Sequence, residues 1–85
     1  MLSVPGSDDT VVLLDYMDGP NVFENLLRVT AEGDVVWRPR PPDTGPDAWV
    51  QARIDGDEVV AYSWSGFVVR FDLATGVERG REFMK

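Results

Sequence analysis

Residues 48–76 read AWVQARIDGDEVVAYSWSGFVVRFDLATG, and this stretch decides the fold. Apolar and polar residues alternate along it, which indicates half-buried β-strands and not helices. In the run after Gly66 the two predicted faces are an inward one of Phe67, Val69, Phe71 and Leu73 and an outward one of Val68, Arg70 and Asp72. In the run before Asp55 the two faces are Val50, Ala52 and Ile54 on one side and Trp49, Gln51 and Arg53 on the other. One-sided burial of this kind is typical of antiparallel sheets.

Turn signals divide the whole chain into short strands. Asp55-Gly56 lies between two apolar runs, and an Asp-Gly pair allows the positive φ of a tight hairpin. Glu32-Gly33-Asp34 and Ala74-Thr75-Gly76 occupy the same kind of position. We therefore predict an all-β fold, an antiparallel meander of about seven strands. The predicted strands are 10–16, 22–30, 35–38, 48–54, 59–65, 67–73 and 79–83.

Two segments need separate interpretation. Residues 23–28 could form a short helix, but Asn21 and Asn25 are poor helix formers, so a strand is favoured there. Residues 39–47 contain four prolines, which remove the backbone donors that a central strand needs. We predict that this second segment is a connector.

Composition limits the function. At 85 residues the chain is one domain, and it lacks histidine and cysteine. It therefore has neither the commonest general base nor a thiolate nucleophile, and we expect no enzyme. A net charge of −7 opposes binding to nucleic-acid phosphates. Without a secretory signal or an apolar run of membrane length, the sequence favours a cytoplasmic protein that does not contact a membrane.

The two halves of the chain resemble each other. Asp9-Thr10-Val11-Val12 matches Asp57-Glu58-Val59-Val60 at an offset of 48 residues, and Leu26-Leu27-Arg28-Val29 matches Val68-Val69-Arg70-Phe71 at an offset of 42 residues. An offset of this size is the period of propeller blades, about 40–50 residues. We therefore predict a single domain, 1–85, in which the connector 39–47 separates two blade-like units at 9–38 and 48–85.

Two corners of these units resemble a known family. Phe71-Asp72-Leu73-Ala74-Thr75-Gly76 is similar to the Asp-x-x-Thr-Gly corner between the outer strands of blades in quinoprotein-like (PQQ-like) β-propellers. Glu32-Gly33-Asp34-Val35-Val36-Trp37 is similar to the version of this corner that ends in tryptophan. The chain also resembles small bacterial proteins that carry one Trp-Ser-Gly to Asp-x-x-Thr-Gly unit.

The resemblance implies a fold and no activity. A full propeller has about 4–8 blades, whereas this chain has material for two. The quinone and metal sites of the large enzymes lie on the axis of a complete ring, so we expect no cofactor and no metal here. The two units are predicted to pack as a small sandwich or to be completed by oligomerisation.

Acidic residues are concentrated in the first unit. Residues 1–36 hold seven carboxylates against the single basic residue Arg28. Such a surface would steer a basic partner, with Asp15 and Asp18 as candidate contacts. Asp55, Asp57 and Glu58 could suggest a calcium cluster, but their spacing is not that of a calcium loop, and a hairpin turn explains them.

Aromatic residues next to arginine give a second candidate surface. Trp49 shares its predicted face with Arg53, and it is the tryptophan that we expect to be exposed. Aromatic rings and arginine are typical of interface hot spots, so Trp49, Arg53 and Tyr62 are candidate contacts. We predict that Trp37 and Trp64 belong to the core.

These features favour a non-enzymatic, acidic protein-interaction module. An inhibitor or immunity-type binder of a basic protein suits its size and charge. The alternative is a self-assembling structural module whose copies form a propeller-like ring, in which three or four chains would supply six or eight blades. The predicted partners are accordingly another protein or further copies of the chain.

Overall fold

The computed structural model describes residues 2–14, 22–41 and 47–83. In this part of the chain every regular element is a β-strand, which confirms the predicted all-β class. Residues 15–16 of the predicted strand 10–16 and residues 42–46 of the predicted connector lie outside the described part. The strands are β1 (Leu2–Ser3), β2 (Thr10–Leu13), β3 (Val22–Phe23), β4 (Leu26–Val29), β5 (Val35–Trp37), β6 (Asp47–Asp55), β7 (Glu58–Ser63), β8 (Phe67–Asp72) and β9 (Glu78–Phe83).

The strands form two sheets. The first sheet has the order β1-β2-β4-β5, and its neighbouring strands are antiparallel. The second sheet has the order β3-β6-β7-β8-β9, in which β6 to β9 form an antiparallel meander and β3 runs parallel to β6. Each half of the sequence therefore supplies one four-stranded meander, and β3 adds to the edge of the second.

The strand predicted over 22–30 is in fact two strands in different sheets. The chain changes sheet at Asn25, whose side chain is fully buried. Asn25 Nδ2 donates to the carbonyl oxygens of Trp49 (2.6 Å) and Leu14 (2.9 Å), and Asn25 Oδ1 accepts from the Trp49 N–H (2.8 Å). The amide thus serves as a strand partner for the Trp49 backbone, because it satisfies both of its polar groups.

The hairpin between β6 and β7 needs glycine at one position. Asp55 pairs with Glu58 across a two-residue turn whose first residue, Gly56, has a φ of +60°. Positive φ at the first turn position alone is the pattern of a type II′ turn. The hairpins predicted at Gly33 and Gly76 are present as well, so all three are confirmed.

The corner between β8 and β9 is shaped by Asp72 and packed against the first sheet. Asp72 Oδ1 accepts the N–H groups of Ala74 and Thr75, each at 2.9 Å, which forms an Asx turn. Gly76 follows with a φ of +74° and lies directly on Trp37: an added Cβ would be 2.5 Å from Trp37 Cγ. Glycine is required here both by its backbone conformation and by the close contact.

One hydrophobic core lies between the two sheets. The first sheet side contributes Val4, Val11, Leu26 and Trp37, and the second contributes Trp49, Val59, Ala61, Val69, Phe71 and Leu73. The predicted inward face is confirmed, since Val69, Phe71 and Leu73 are buried and Phe67 packs against the core, while Arg70 is exposed. Apolar burial stabilises by about 25 cal/mol per Å², so this shared core holds the sheets together.

Hydrogen bonds to one carbonyl fix how the sheets meet. The carbonyl oxygen of Leu73 accepts from Trp37 Nε1 at 2.9 Å and from Arg28 Nη1 at 2.7 Å. Arg28 Nε also donates to Asp9 Oδ2 at 2.9 Å. A buried carbonyl left without a donor costs about 1–3 kcal/mol, so sliding one sheet over the other is opposed here.

The strand registers define the internal repeat. Val11 pairs with Arg28 in the first sheet as Val60 pairs with Arg70 in the second, and both sheets have a register shift just after the arginine. When Arg28 is placed on Arg70, at the predicted offset of 42 residues, the strand pairing places Val11 on Val60. This is an offset of 49 residues, one more than the predicted 48. Both halves contain two consecutive valines, so the sequence is compatible with either offset. Only the strand pairing distinguishes the two offsets.

The corrected register places two ion pairs at equivalent positions. Asp9 pairs with Arg28 at 2.9 Å in the first sheet, and Glu58 pairs with Arg70 at 3.3 Å in the second. In the first sheet, the face that carries this pair packs on the second sheet. In the second sheet, the equivalent face lies on the far side from the core. The two sheets are therefore stacked face to back.

We predict that Gly76→Ala destabilises the protein by about 3 kcal/mol, because left-handed strain and overlap with Trp37 add together. Gly56→Ala is the matched control. It has the same sign of φ, nothing lies within 4 Å of its added Cβ, and we expect a loss of about 1 kcal/mol. Urea unfolding followed by tryptophan fluorescence measures both. Equal losses would contradict the packing of Gly76 on Trp37.

Candidate protein-interaction face

The second sheet has one face against the core and one face away from it. Strand pairing places Arg53, Val60, Arg70 and Gly80 in one row across this far side, and Gln51, Tyr62, Val68 and Glu82 in the next row. Asp55 and Glu58 begin a third row. We call these ten residues the outer face. It is the face that corresponds, through the repeat, to the buried face of the first sheet.

The buried face of the first sheet and the outer face of the second sheet differ in their side chains at equivalent positions. The residues of the buried face have counterparts in the outer face: Leu2 in Arg53, Val11 in Val60, Leu13 in Tyr62, Leu26 in Val68, Arg28 in Arg70 and Trp37 in Gly80. Val60 is fully buried, as Val11 is. The side chain of Arg28 is 13% exposed and that of Arg70 is 46% exposed. The outer face thus keeps an apolar centre and the arginine, but it has glycine where the first sheet has tryptophan.

The replacement of tryptophan by glycine leaves a groove. A groove of about 380 Å³ lies over Gly80, and its walls include Tyr62, Val68, Arg70 and Arg81. Nothing lies within 4 Å of a Cβ built on Gly80. The groove therefore occupies the place where the equivalent Trp37 ring lies in the first sheet, and it is large enough for one side chain.

Ion pairs organise the charged part of the outer face. Arg70 Nη1 lies 3.3 Å from Glu58 Oε1 and 3.9 Å from Asp55 Oδ2, and Arg53 Nη1 lies 3.4 Å from Asp55 Oδ2. The Tyr62 hydroxyl is the main cause that raises the pKa of the Arg53 guanidinium. Exposed pairs of this kind contribute little stability, but they hold the guanidinium groups beside the apolar centre.

A second arginine network lies at the margin of the sheet. Arg79 contacts the carboxylates of Asp57, Glu58 and Asp72. Its hydrogen bonds are the main reason that the pKa of Asp57 is lowered. The pKa of Asp72 is lowered first by the N–H of Thr75 and then by Arg79. The three carboxylates of the β6–β7 hairpin, Asp55, Asp57 and Glu58, therefore all contact arginine.

The structure brings together two of the five contact residues that the sequence predicted. Arg53 and Tyr62 both belong to the outer face and interact with each other. Asp15 and Asp18 lie outside the described residues. Trp49 does not join the surface, because it is fully buried.

The prediction of an exposed Trp49 is wrong because β6 contains a β-bulge. Trp49 pairs with Ser63 and Gln51 pairs with Tyr62, so Val50 is an extra residue between them. One extra residue shifts the alternation and turns Trp49 to the core face. There its ring packs edge-on against Phe71 with 5.5 Å between ring centres.

The other two tryptophans divide between core and surface. Trp37 is buried, as predicted, and its indole N–H donates to Leu73. Trp64 is 60% exposed, so its predicted place in the core is wrong. β7 ends at the buried Ser63, and Trp64 lies in the turn that follows.

A buried polar cluster secures this turn. Asp47 accepts hydrogen bonds from the N–H of Ser65 (3.0 Å) and from the Ser65 hydroxyl (2.8 Å). The hydroxyls of Ser63 and Ser65 are 2.9 Å apart, and Ser63 Oγ also accepts from the N–H of Phe67. These bonds tie the start of β6 to the β7–β8 turn, and the chain has no histidine to activate either serine.

Sequence reasoning missed Gly80 although a signal was present. Trp37 comes four residues after the turn glycine Gly33, and Gly80 comes four residues after Gly76. Extending the repeat through the last strand would have shown the tryptophan position filled by glycine. For Asn25 no such signal exists, since its role depends on a backbone group distant in sequence.

The family model described as "Domain of unknown function (DUF7957)" matches residues 4–83. The chain belongs to the DUF7957 family. The match includes most of both sheets and the entire outer face of the DUF7957 chain. No curated protein and no solved structure matches it. In the described part of the DUF7957 chain, no helix is long and apolar enough to cross a membrane.

We predict that Arg79→Gln in the DUF7957 chain raises the pKa of Asp57 towards the ordinary value of an aspartate, because the hydrogen bond that lowers it most is removed. Asp72 should keep part of its lowered pKa, because the N–H groups of Ala74 and Thr75 remain. Carboxyl ¹³C NMR titration measures both. The stability from these contacts is present above the ordinary pKa and is lost as the pH falls through the lowered one. An Asp57 titration that does not move would contradict the network.

Proposed function

We propose that the chain is a non-enzymatic protein-interaction module and that the outer face of the second sheet is its binding surface. The observation that carries this proposal is the equivalence of the outer face to the buried face of the first sheet. The same strand positions, with the same Arg–carboxylate pair, serve as a sheet-packing surface once in this chain. Their second copy faces away from the core.

The composition of the outer face supports a protein partner. Tyr62 and Val68 are half-buried at its centre, and arginines and carboxylates surround them. Protein interfaces typically combine a central aromatic anchor with arginine and a polar rim. The groove over Gly80 offers a place for one side chain of the partner.

Other classes of function have less support. The chain has no histidine and no cysteine, so a nucleophile would lack its usual activating base. Arg53 and Arg70 are engaged with carboxylates and the net charge is −7, which disfavours nucleic acid as a partner. The proposal accordingly includes no cofactor, no metal and no membrane contact.

An inhibitor or immunity-type binder of a basic protein is the narrower form of this function. The uneven charge supports it, because residues 1–36 carry a net charge of −6, seven carboxylates against Arg28. Electrostatic attraction of this kind mainly accelerates association and weakens with salt. A basic partner would meet the acidic first unit while its interface centre lies on the second sheet.

The test is site-specific photo-crosslinking in the native host. p-Benzoylphenylalanine replaces Tyr62 in the outer face, and in the control it replaces Val77, which is 64% exposed in the β8–β9 turn. We expect a discrete cross-linked product from position 62 and none from position 77. Equal products from both positions, or none from position 62, would show that the outer face is not the binding surface. A strongly basic cross-linked protein would support the inhibitor form.

A further inference from the structure

The first sheet also has a face that points away from the core. In β4 and β5 the residues opposite to Arg28 and Trp37 in the alternation are Leu27, Val29 and Val35, and Val12 pairs with Leu27. Val12, Leu27 and Val29 are half-buried, and Val35 is 53% exposed. We call these four residues the free face. These four residues are apolar, and the row through Val29 continues into the polar Thr10 and Ser3.

The repeat gives the free face a counterpart inside the molecule. Each of its first three residues corresponds to a core residue of the second sheet: Val12 to Ala61, Leu27 to Val69 and Val29 to Phe71. Those core residues form the surface on which the Arg28 and Trp37 face packs. The described residues therefore contain a second copy of each half of the interface that the chain already forms between its own two sheets.

We propose that copies of this chain bind one another head to tail, with the outer face of one copy packed on the free face of the next. This proposal rests on the proposed function, because it gives the same outer face a specific partner. Within one chain the two sheets are stacked face to back. The contact between two copies would repeat this same face-to-back stacking. Because propellers close with about 4–8 blades, three or four chains would form a closed ring.

The repeat also predicts which turn of a second copy would lie against the groove. Trp37 lies on Gly76 and donates to Leu73, and the equivalents of these two residues are Gly33 and Ala31 in the β4–β5 turn. Between them stands Glu32, which is exposed. In the head-to-tail arrangement Glu32 of one copy would face the groove over Gly80.

Both arginines and a carboxylate line that groove. Arg70 and Arg81 line it together with Glu82. Arg70 lies 3.3 Å from Glu58 and Arg81 lies 2.7 Å from Glu78, so a carboxylate from another copy would share these guanidinium groups. Trp37 in the first sheet packs on the Gly76 corner of its own chain. Gly80, at the equivalent position in the second sheet, would leave space for the Glu32 corner of the next copy.

The first experiment uses sedimentation velocity on the full chain. Val68→Asp blocks the outer face, Val29→Asp blocks the free face, and Val77→Asp is the matched control on neither face. We expect wild type and Val77→Asp to sediment as the same closed oligomer and each face variant to sediment as a monomer. A wild type that is monomeric up to millimolar concentration would overturn the proposal, as would face variants that assemble like wild type.

Mixing the two face variants tests the head-to-tail geometry itself. Val68→Asp retains an intact free face and Val29→Asp retains an intact outer face, so an equimolar mixture should form a heterodimer and nothing larger. A mixture that stays monomeric while wild type assembles would rule out this geometry.

An exposed charge variant provides a test that does not disturb the core. Glu32→Arg should weaken assembly at least about tenfold, because it sets like charges together at the groove, whereas Asp8→Arg makes the same charge change at another exposed site. Equal effects of both variants would contradict the contact at Glu32. Circular dichroism confirms that each variant is folded.

The failure of this proposal can be told from the failure of the proposed function. A monomeric wild type that still cross-links from position 62 to a foreign protein would refute self-assembly and leave the interaction module standing. A monomeric wild type with no product from position 62 would refute both.

Discussion

The carbonyl oxygen of Leu73 accepts hydrogen bonds from Trp37 and Arg28, and the arrangement of the two sheets depends on this contact. This carbonyl lies at the corner between β8 and β9, where the second sheet contacts the first. Because the two donors stand on one face of the first sheet, satisfying this carbonyl decides which face is buried. Gly76 permits the arrangement, since any side chain there would overlap Trp37. Face-to-back stacking follows from these few groups.

Much of the fold could be predicted from local pattern. The alternation of apolar and polar residues and the turn glycines predict the all-β class, the hairpins and the buried face of β8. These features depend on residues that are close in sequence. Trp49 was misplaced because a bulge opposite Ser63 shifts the alternation, and a bulge leaves no clear mark in the sequence. The local pattern predicts one continuous strand through Asn25. The partner that ends this strand, the Trp49 backbone, is 24 residues away in sequence. Long-range pairing accounts for both errors.

The candidate site was predicted only in part. Arg53 and Tyr62 were found because aromatic and arginine residues on a strand face are typical of interfaces. The repeat, once its register was corrected by one residue, explains the rest. It shows that the outer face is a second copy of a packing surface, altered at Gly80 and at Arg53. Charged residues surround the apolar centre of this face, and the groove over Gly80 lies beside it.

The central claim is that the first sheet packs with its Arg28 and Trp37 face on the core face of the second sheet. Nuclear Overhauser contacts of the Trp37 ring test it most directly. The account predicts contacts from this ring to the α-protons of Gly76 and to Leu73. Contacts from Trp37 to Val60 or Val68 instead would place the first sheet on the outer face and contradict the stacking described above.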